Sequence, residues 1–581
     1  MRFIILLLAA LFTSCHNQYD FYIASTGSDK NSGKSITRPL RSIATLETKA
    51  LTFGNGVKIK FLDEYVYRES LDLSGLDGIV LDGNFSTLSA SDVVPKNAEL
   101  WKQWDALHFP NIWFINWSFS EKMMGGASMT IDRKMPAFVN QIEACNATEN
   151  SFSVSGGTLQ DSMKFFIHSN TDPNTNQHVY EIMKRPFGLK TQHRASISNL
   201  VTHTGTHNDG SLSVSDRAVL RNLLSANGHK HNLFHTSGLL EDCVVFDWQY
   251  FAGQTPFIAY GFSLKGKQVT YKRCLIVAPE FRGEGTGFYA HAADNSFHTS
   301  FEIDGCIAYN VNSLSSIKAT GKQVIQNSYQ YGAGGQSADG GDLLIERTLF
   351  KINGSANSGI TSAGGSTLFR NDAFYGLKMN GPFRLNKGLI TFQNCSFVTD
   401  SADQLFVEGP VNATDIPLLK YNKCLFIKAS DWPDFTDIHE GQKIESDYNV
   451  FYTGDDVKHF PGNIKEKGKL NTLARWQQQT GQDIHSVFLT RAQRATFFLG
   501  DPAKGDFRIN PDAEVTAANG KAYKGTFPDG IPITLAGVQE HYDFNTRVIL
   551  KTAPLQFPMP PITYHDCVKY IKDPTGWDFY K

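Results

Sequence analysis

Eight segments of one design recur along the middle of the chain: LLEDCVVF, VTYKRCLIV, FEIDGCIAY, QVIQNSYQY, LLIERTLFK, TLFRNDAFY, ITFQNCSFV and LKYNKCLFI. Each is a short alternating run, a turn-like residue, a small residue and a second apolar run. The small residue is Cys243, Cys274, Cys306, Ser328, Thr348, Asp372, Cys395 or Cys424, at spacings of 20 to 32 residues. A period in that range marks coils that bury their apolar faces only against neighbouring coils. The residue before each slot is Asp242, Arg273, Gly305, Asn327, Arg347, Asn371, Asn394 or Lys423. The Asn, Asp and Gly among them suit a backbone turning through positive φ at a corner between two sheets. The repeat therefore predicts an all-β fold, a right-handed parallel β-helix. Its five cysteines stack as small plugs, because parallel stacking rarely supplies disulfide geometry.

Length and charge set the remaining bounds. A chain of 581 residues, 41% hydrophobic, has room for a large core and more than one structural unit. A net charge of −2 gives no global reason to expect nucleic acid or a membrane surface. The N-terminus, MRFIILLLAALFTSCHNQYD, has an apolar run too short to span a bilayer and reads as an export signal.

LFTSC resembles a bacterial lipobox, which implies lipidation at Cys15 and a membrane contact made only through that anchor, on an outer-membrane or cell-surface lipoprotein of a bacterium. FYIASTGSDKNSGKSITRPLRSIATLETKA resembles the opening of exported bacterial parallel β-helix (pectin-lyase-like) carbohydrate-active proteins. MTIDRKMPAFVN, SFSVSGGTL, KFFIHSNTDPN and HVYEIMKRPFGLKT look like the small β-sandwich that interrupts the helix in some of them. TLARWQQQTGQDIHS and GDFRINPDAEV resemble their closing cap. The expected organisation is a signal segment over 1–15, an N-terminal cap and first coils over 20–100, and a β-sandwich-like insertion over 101–192. The helix core then covers 193–455 and a C-terminal helix-and-strand cap 456–581.

Substrate in such a fold lies along an exposed sheet. The strands before the repeated segments read HNLFHTSG, AYGFSLKG, GFYAHAAD, SSIKATG, GGQSADG, SGITSAG, PFRLNKG and DQLFVEG. Alternation sends Phe234, Phe262, Ala290, Ile317, Ile360, Phe383 and Leu405 inward. The outward stripe is then His235, Lys265, His291, Lys318, Asp339, Thr361, Arg384 and Glu408. An ordinary solvated face would look the same. From Glu181 to Leu240, however, seven Lys or Arg and six His stand against three acids, a local excess that favours an anionic ligand. Without an aromatic-interleaved nucleic-acid motif, an acidic polysaccharide is the expected partner, and nucleic acid is not.

Three chemistries compete for that stripe. Eliminative cleavage of a uronate needs a cation on the carboxylate and a base for the neighbouring C–H. His235, His291 and Lys318 are of the right types, with His229, His231, Lys265, Arg282 and Arg384 as substrate-binding groups. Hydrolysis needs paired carboxyls, and Asp339 and Glu408 stand three coils, or about 14 Å, apart. DQLFVEGP resembles the acid/base segment of some β-helix xylosidases, which implies Glu408 as proton donor, yet FRLNKG lacks their nucleophilic Asp. Glu280, Glu284, Asp294 and Asp342 on loops offer another pair. A non-catalytic glycan-binding surface protein is the third reading. No metal motif stands out and no cofactor is expected; calcium is left open, although the acidic cluster it would need is not evident.

Overall fold

The computed structural model describes residues 18–96, 98–124, 128–155, 159–205, 210–214, 217–229, 232–235, 237–248, 257–261, 268–279, 286–292, 300–318, 321–338, 341–352, 360–377, 383–399, 406–408, 418–428, 436–438, 443–452, 462–464, 468–470, 472–551 and 561–579. The chain divides into two compact units, Met1–His235 with Asp247–Gln249, and Thr236–Phe246 with Tyr250–Lys581. Most of both is β-strand, in long parallel rows consistent with the expected β-helix. Cys15 and the signal segment lie outside the described residues. Among the described residues no helix is long and apolar enough to cross a membrane.

In the first unit, Phe21–Ile23, Lys58–Phe61, Ile79–Ser89, Ala195–Gly205 and Ala218–Gly228 pair in parallel, each on the next. A second row runs Leu71–Asp72, Leu189–Thr191, Leu212–Val214, Leu233–His235. The helix Ile43–Phe53 packs Ile43, Leu46 and Ala50 inward; Ser42 caps it by accepting from the Thr45 N–H at 3.2 Å, and Gly54 ends it at φ 96°.

Between these rows the chain builds two further sheets. One has five strands in the order Ala137–Phe138, Ser151–Ser155, Leu159–His168, Ile112–Met124, Lys102–Gln103. The other has three, in the order Ser91–Val93, Tyr180–Met183, Met129–Ile131. Residues from both, including Ile115, Met163, Phe165, Met129, Tyr180 and Ile182, share one apolar cluster. Two sheets that each bury one face against the other satisfy their alternating pattern in this way. Beside them lies a polar cluster around the buried Glu181 and His203. Arg68 pairs with Glu181 at 2.7 Å, Arg133 reaches it at 3.5 Å, and His203 Nδ1 lies 3.3 Å from the hydroxyls of Ser89 and Ser91.

The second unit holds three rows of parallel strands. The row before the repeated slot runs Gly238–Glu241, Gln268–Lys272, Ser300–Asp304, Gln323–Gln326, Leu343–Glu346 and onward to Lys443–Asp447. The row after it includes Leu349–Ile352, Ala373–Leu377, Ser396–Thr399, Leu425–Lys428 and Val450–Tyr452. Here Phe350, Phe374, Phe397, Phe426 and Phe451 stack ring on ring at 4.8–5.2 Å. In-register stacking of one side chain per coil explains the high phenylalanine content.

Every corner residue takes positive φ: Asp242, Arg273, Gly305, Asn327, Arg347, Asn371, Asn394 and Lys423 all lie between 51° and 64°. The requirement extends beyond Asn, Asp and Gly to two arginines and a lysine. Ion pairs and hydrogen bonds along the row hold these side chains, as Arg273 is held by Glu241 at 2.7 Å and Asp242 at 2.8 Å, and Arg347 by Asn327 at 2.8 Å. The slot cysteines are free thiols, as are Cys145 and Cys567. They also do more than fill space. The Cys274 N–H donates to Cys306 Sγ at 3.3 Å and the Cys306 N–H to Ser328 Oγ at 3.2 Å. The Thr348 N–H donates to Asp372 Oδ1 at 2.7 Å and the Cys424 N–H to Asn449 Oδ1 at 2.9 Å. At these four positions the side chain accepts from the slot amide of the preceding repeat, which explains why Cys, Ser, Asp and Asn all serve there.

The closing segment forms helices Leu473–Thr480 and Arg491–Phe497 and the strand Glu514–Ala517. It then returns along the corner row. Asp529 meets Tyr448, the Gly537 N–H donates to the Lys423 carbonyl, Gln539 meets Asn371, Glu540 meets Arg347, and Tyr570 meets Arg273.

Candidate functional site

The remaining row carries the predicted stripe. Its strands are Phe257–Gly261, Thr286–Ala292, Ile307–Lys318, Tyr329–Ala338, Ile360–Arg370, Phe383–Gln393, Phe406–Glu408, Thr436–Ile438 and Gly462–Ile464. The pairing fixes which residues share a column. Phe288 pairs with Ser315 and both are buried; Ala290 pairs with Ile317 in the same alternate set. His291 pairs with Lys318.

The residue paired with His291 on its other side is Tyr260. The described strand that stacks here is thus FIAYG, whereas alternation within AYGFSLKG points to Lys265, which lies outside the described residues. Tyr260, His291 and Lys318 form one column across three neighbouring strands, each about 4.8 Å from the next.

Farther along, the stripe breaks. Thr361 pairs with Ser337 and Arg384, and Arg384 with Val407, which pairs with Asp437. Glu408 pairs instead with Leu385, in the column of Ser362, Ala338 and Ile317. It therefore falls one residue out of step with Arg384, in the alternate set of Ile317 and Leu385. In this pairing Phe383 meets Phe406, one residue on from the Leu405 that alternation sends inward. Asp437, six residues before the KIESD strand, is the acid that the Arg384 column reaches.

His235 ends the row Thr191, Val214, His235, whose first two members are buried. Leu233, two residues before it, is buried and pairs with Leu212, which pairs with Leu189. His229 is 2% exposed, and its N–H donates to the Gly205 carbonyl at 3.0 Å, so it does not belong to an open face. His231, Lys265, Arg282 and Asp339 lie outside the described residues.

Among the described residues, no three His, Cys, Asp or Glu side chains converge as metal ligands. His203 is buried, and this burial, reinforced by the Arg133 and Arg68 charges, pushes its imidazole down to about 4. Glu181 stays below the ordinary carboxylate range despite its burial, held there by His203, Arg133 and Arg68.

No protein-family model matches the chain, and no curated protein matches it by sequence. Solved structures do resemble it. The complex of XylC with xylose is 10% identical, with a TM-score of 0.48, covering 77% of this chain and 85% of that one. A glycoside hydrolase is 8% identical, with a TM-score of 0.25 over 77% and 96% of the two chains. The GH136 lacto-N-biosidase from Eubacterium ramulus is 10% identical, with a TM-score of 0.20 over 78% and 63%.

Proposed function

We propose that the protein is a polysaccharide lyase that cleaves an acidic, uronate-containing glycan by β-elimination. The Tyr260–His291–Lys318 column carries this reading. It sets a phenol, an imidazole and an ammonium on three successive strands. The cation neutralises the uronate carboxylate and acidifies the C5–H. Tyr260 or His291 takes that proton, and the glycosidic oxygen departs from C4 with its electron pair and gains a proton. The product is a 4,5-unsaturated uronide and a new chain end. Arg384, farther along the row, binds a neighbouring uronate.

A glycoside hydrolase is the competing reading. It requires two carboxyls within about 10 Å facing one substrate. Glu408 and Asp437 are diagonal neighbours, but they fall in opposite alternate sets, so this row alone does not pair them. The proposed architecture is a right-handed parallel β-helix with a β-sandwich insertion, on an exported lipoprotein anchored through Cys15. The chemistry as drawn uses side-chain charge alone; calcium is tested by adding it to the assay.

The deciding experiment follows absorbance near 235 nm with a panel of acidic and neutral polysaccharides. A rise on an acidic glycan, lost in Lys318→Ala, is expected. New reducing ends without that rise would replace elimination by hydrolysis, and silence on both would leave a glycan-binding protein.

A further inference from the structure

The five-stranded sheet of the first unit has two unlike sides. One packs into the shared apolar cluster. On the other, Ile112, Phe114 and Phe166 are covered at one end by Cys145 and Ile142 of the helix Ile142–Ala147. The rest of that side is open and polar. Asn116 pairs with Lys164, which pairs with Ser155, and Ser118 pairs with Ser162; Asn116, Ser118, Ser155 and Ser162 are exposed.

Trp104 stands where the covered and open halves meet, 36% exposed. Its ring lies edge-on to Phe114 at 5.4 Å and Phe166 at 5.2 Å, which fixes its orientation. The Lys164 ammonium sits 5.3 Å from the Trp104 and Phe114 ring centroids. It makes no ion pair with any described carboxylate. Among the described strand side chains on this side, none is acidic, and Lys102, paired with Phe114, adds a second positive charge.

We propose that this sheet side binds an anionic polysaccharide strand, at a place separate from the Tyr260–His291–Lys318 column. A fixed indole gives a sugar ring an apolar platform. Short hydroxyl and amide side chains across three strands, about 10 Å, match the spacing of sugar hydroxyls. Lys164, kept in place by the aromatic rings and unpaired, meets a carboxylate or sulfate. The choice of polysaccharide over other polyanions rests on the proposed function.

The test uses the full chain in native gels containing polygalacturonate, alginate, neutral xylan or a DNA duplex. Retardation by an acidic glycan is expected, with little by xylan or DNA. Lys164→Gln removes the charge while keeping a polar side chain and should weaken retardation roughly three- to tenfold. Trp104→Ala should do likewise. Elimination of short soluble oligouronides should be unaffected by Lys164→Gln. Wild-type retardation in Lys164→Gln, equal retardation by xylan or DNA, or none by any polymer would each overturn the proposal. Retardation that depends on Lys164 in a protein silent at 235 nm would sink the lyase reading and leave this site standing.

Discussion

The Tyr570 hydroxyl donates to the Arg273 carbonyl at 2.5 Å, joining residues 297 positions apart in sequence. Tyr570 is buried, and it fastens the last helix, Tyr564–Lys572, to a corner whose backbone turns through φ 52°. Tyr570→Phe keeps the ring and leaves that carbonyl without its donor. It should lower stability by about 1–3 kcal/mol, read as a shifted denaturant midpoint at unchanged slope. An unshifted midpoint would mean that the returning segment merely lies along the corner row.

The slot ladder separates packing from hydrogen bonding. Cys306 accepts from the Cys274 N–H and donates to the Tyr271 and Asp304 carbonyls, both at 3.5 Å. Ser328 makes the same two kinds of bond one coil on. Cys306→Ser should therefore be tolerated better than Cys306→Val, by about 1–2 kcal/mol, although valine is the better hydrophobe. A more stable valine variant would return the slot to a purely apolar role.

Asp372 occupies the same slot fully buried. Burial pushes its carboxyl well above the ordinary range, and Glu346 adds to this, against the Thr348 and Arg370 N–H groups and the Arg347 charge. The folded state thus favours the protonated acid, and stability falls as pH rises past the unfolded value of 3.8 toward the folded one. Asp372→Asn retains an acceptor for the Thr348 N–H, as Asn449 does for the Cys424 amide, and gives up the one that the Arg370 N–H uses at 3.0 Å. The variant should be more stable than the parent at pH 8, and the gain should disappear near pH 3. Urea titrations at both values measure it.

His203 gives the opposite slope. The unfolded imidazole takes its proton near 6.5 and the folded one only near 4. Its contribution is complete above pH 6.5 and drains away as pH falls toward 4, by roughly 3 kcal/mol in total. Glu181 loses its own contribution only below the ordinary carboxylate range, so the two windows are distinct. His203→Gln should flatten the denaturation midpoint between pH 7 and 5. A parent midpoint that is already flat there would show that His203 is not held neutral.

Much of this architecture was legible because a coil repeats its own constraints. The positive-φ corners, the free slot cysteines and the parallel rows follow from one aligned motif, since every coil meets the same neighbours. The face of the third row was less legible. Alternation fixes a strand only up to a slip of one residue, and Tyr260 for Lys265 and Val407 for Glu408 are slips of that kind or larger. Positions such as His203 and His229 were unreadable in a different sense. A histidine-rich, basic segment looks alike whether it borders water or is buried, and only the strands around it decide.

The register divides the expected stripe into groups with different consequences for turnover. Tyr260, His291 and Lys318 share a column, whereas Glu408 shares one with Leu385 and Ile317. If acid–base work belongs to that column, Tyr260→Phe, His291→Ala and Lys318→Ala should each lower kcat on an oligouronide by roughly 10²–10⁴. Lys318→Ala should lower kcat/KM as well, because the carboxylate loses its counter-charge in the transition state. Glu408→Gln should change kcat by less than about threefold, since a substitution outside the column removes neither proton transfer nor carboxylate binding. Initial rates at 235 nm with saturating substrate read all four variants. A large defect in Glu408→Gln alongside an active Lys318→Ala would reverse the assignment and make a carboxylic acid the proton donor. A further defect in Asp437→Asn would then identify its partner and point to hydrolysis.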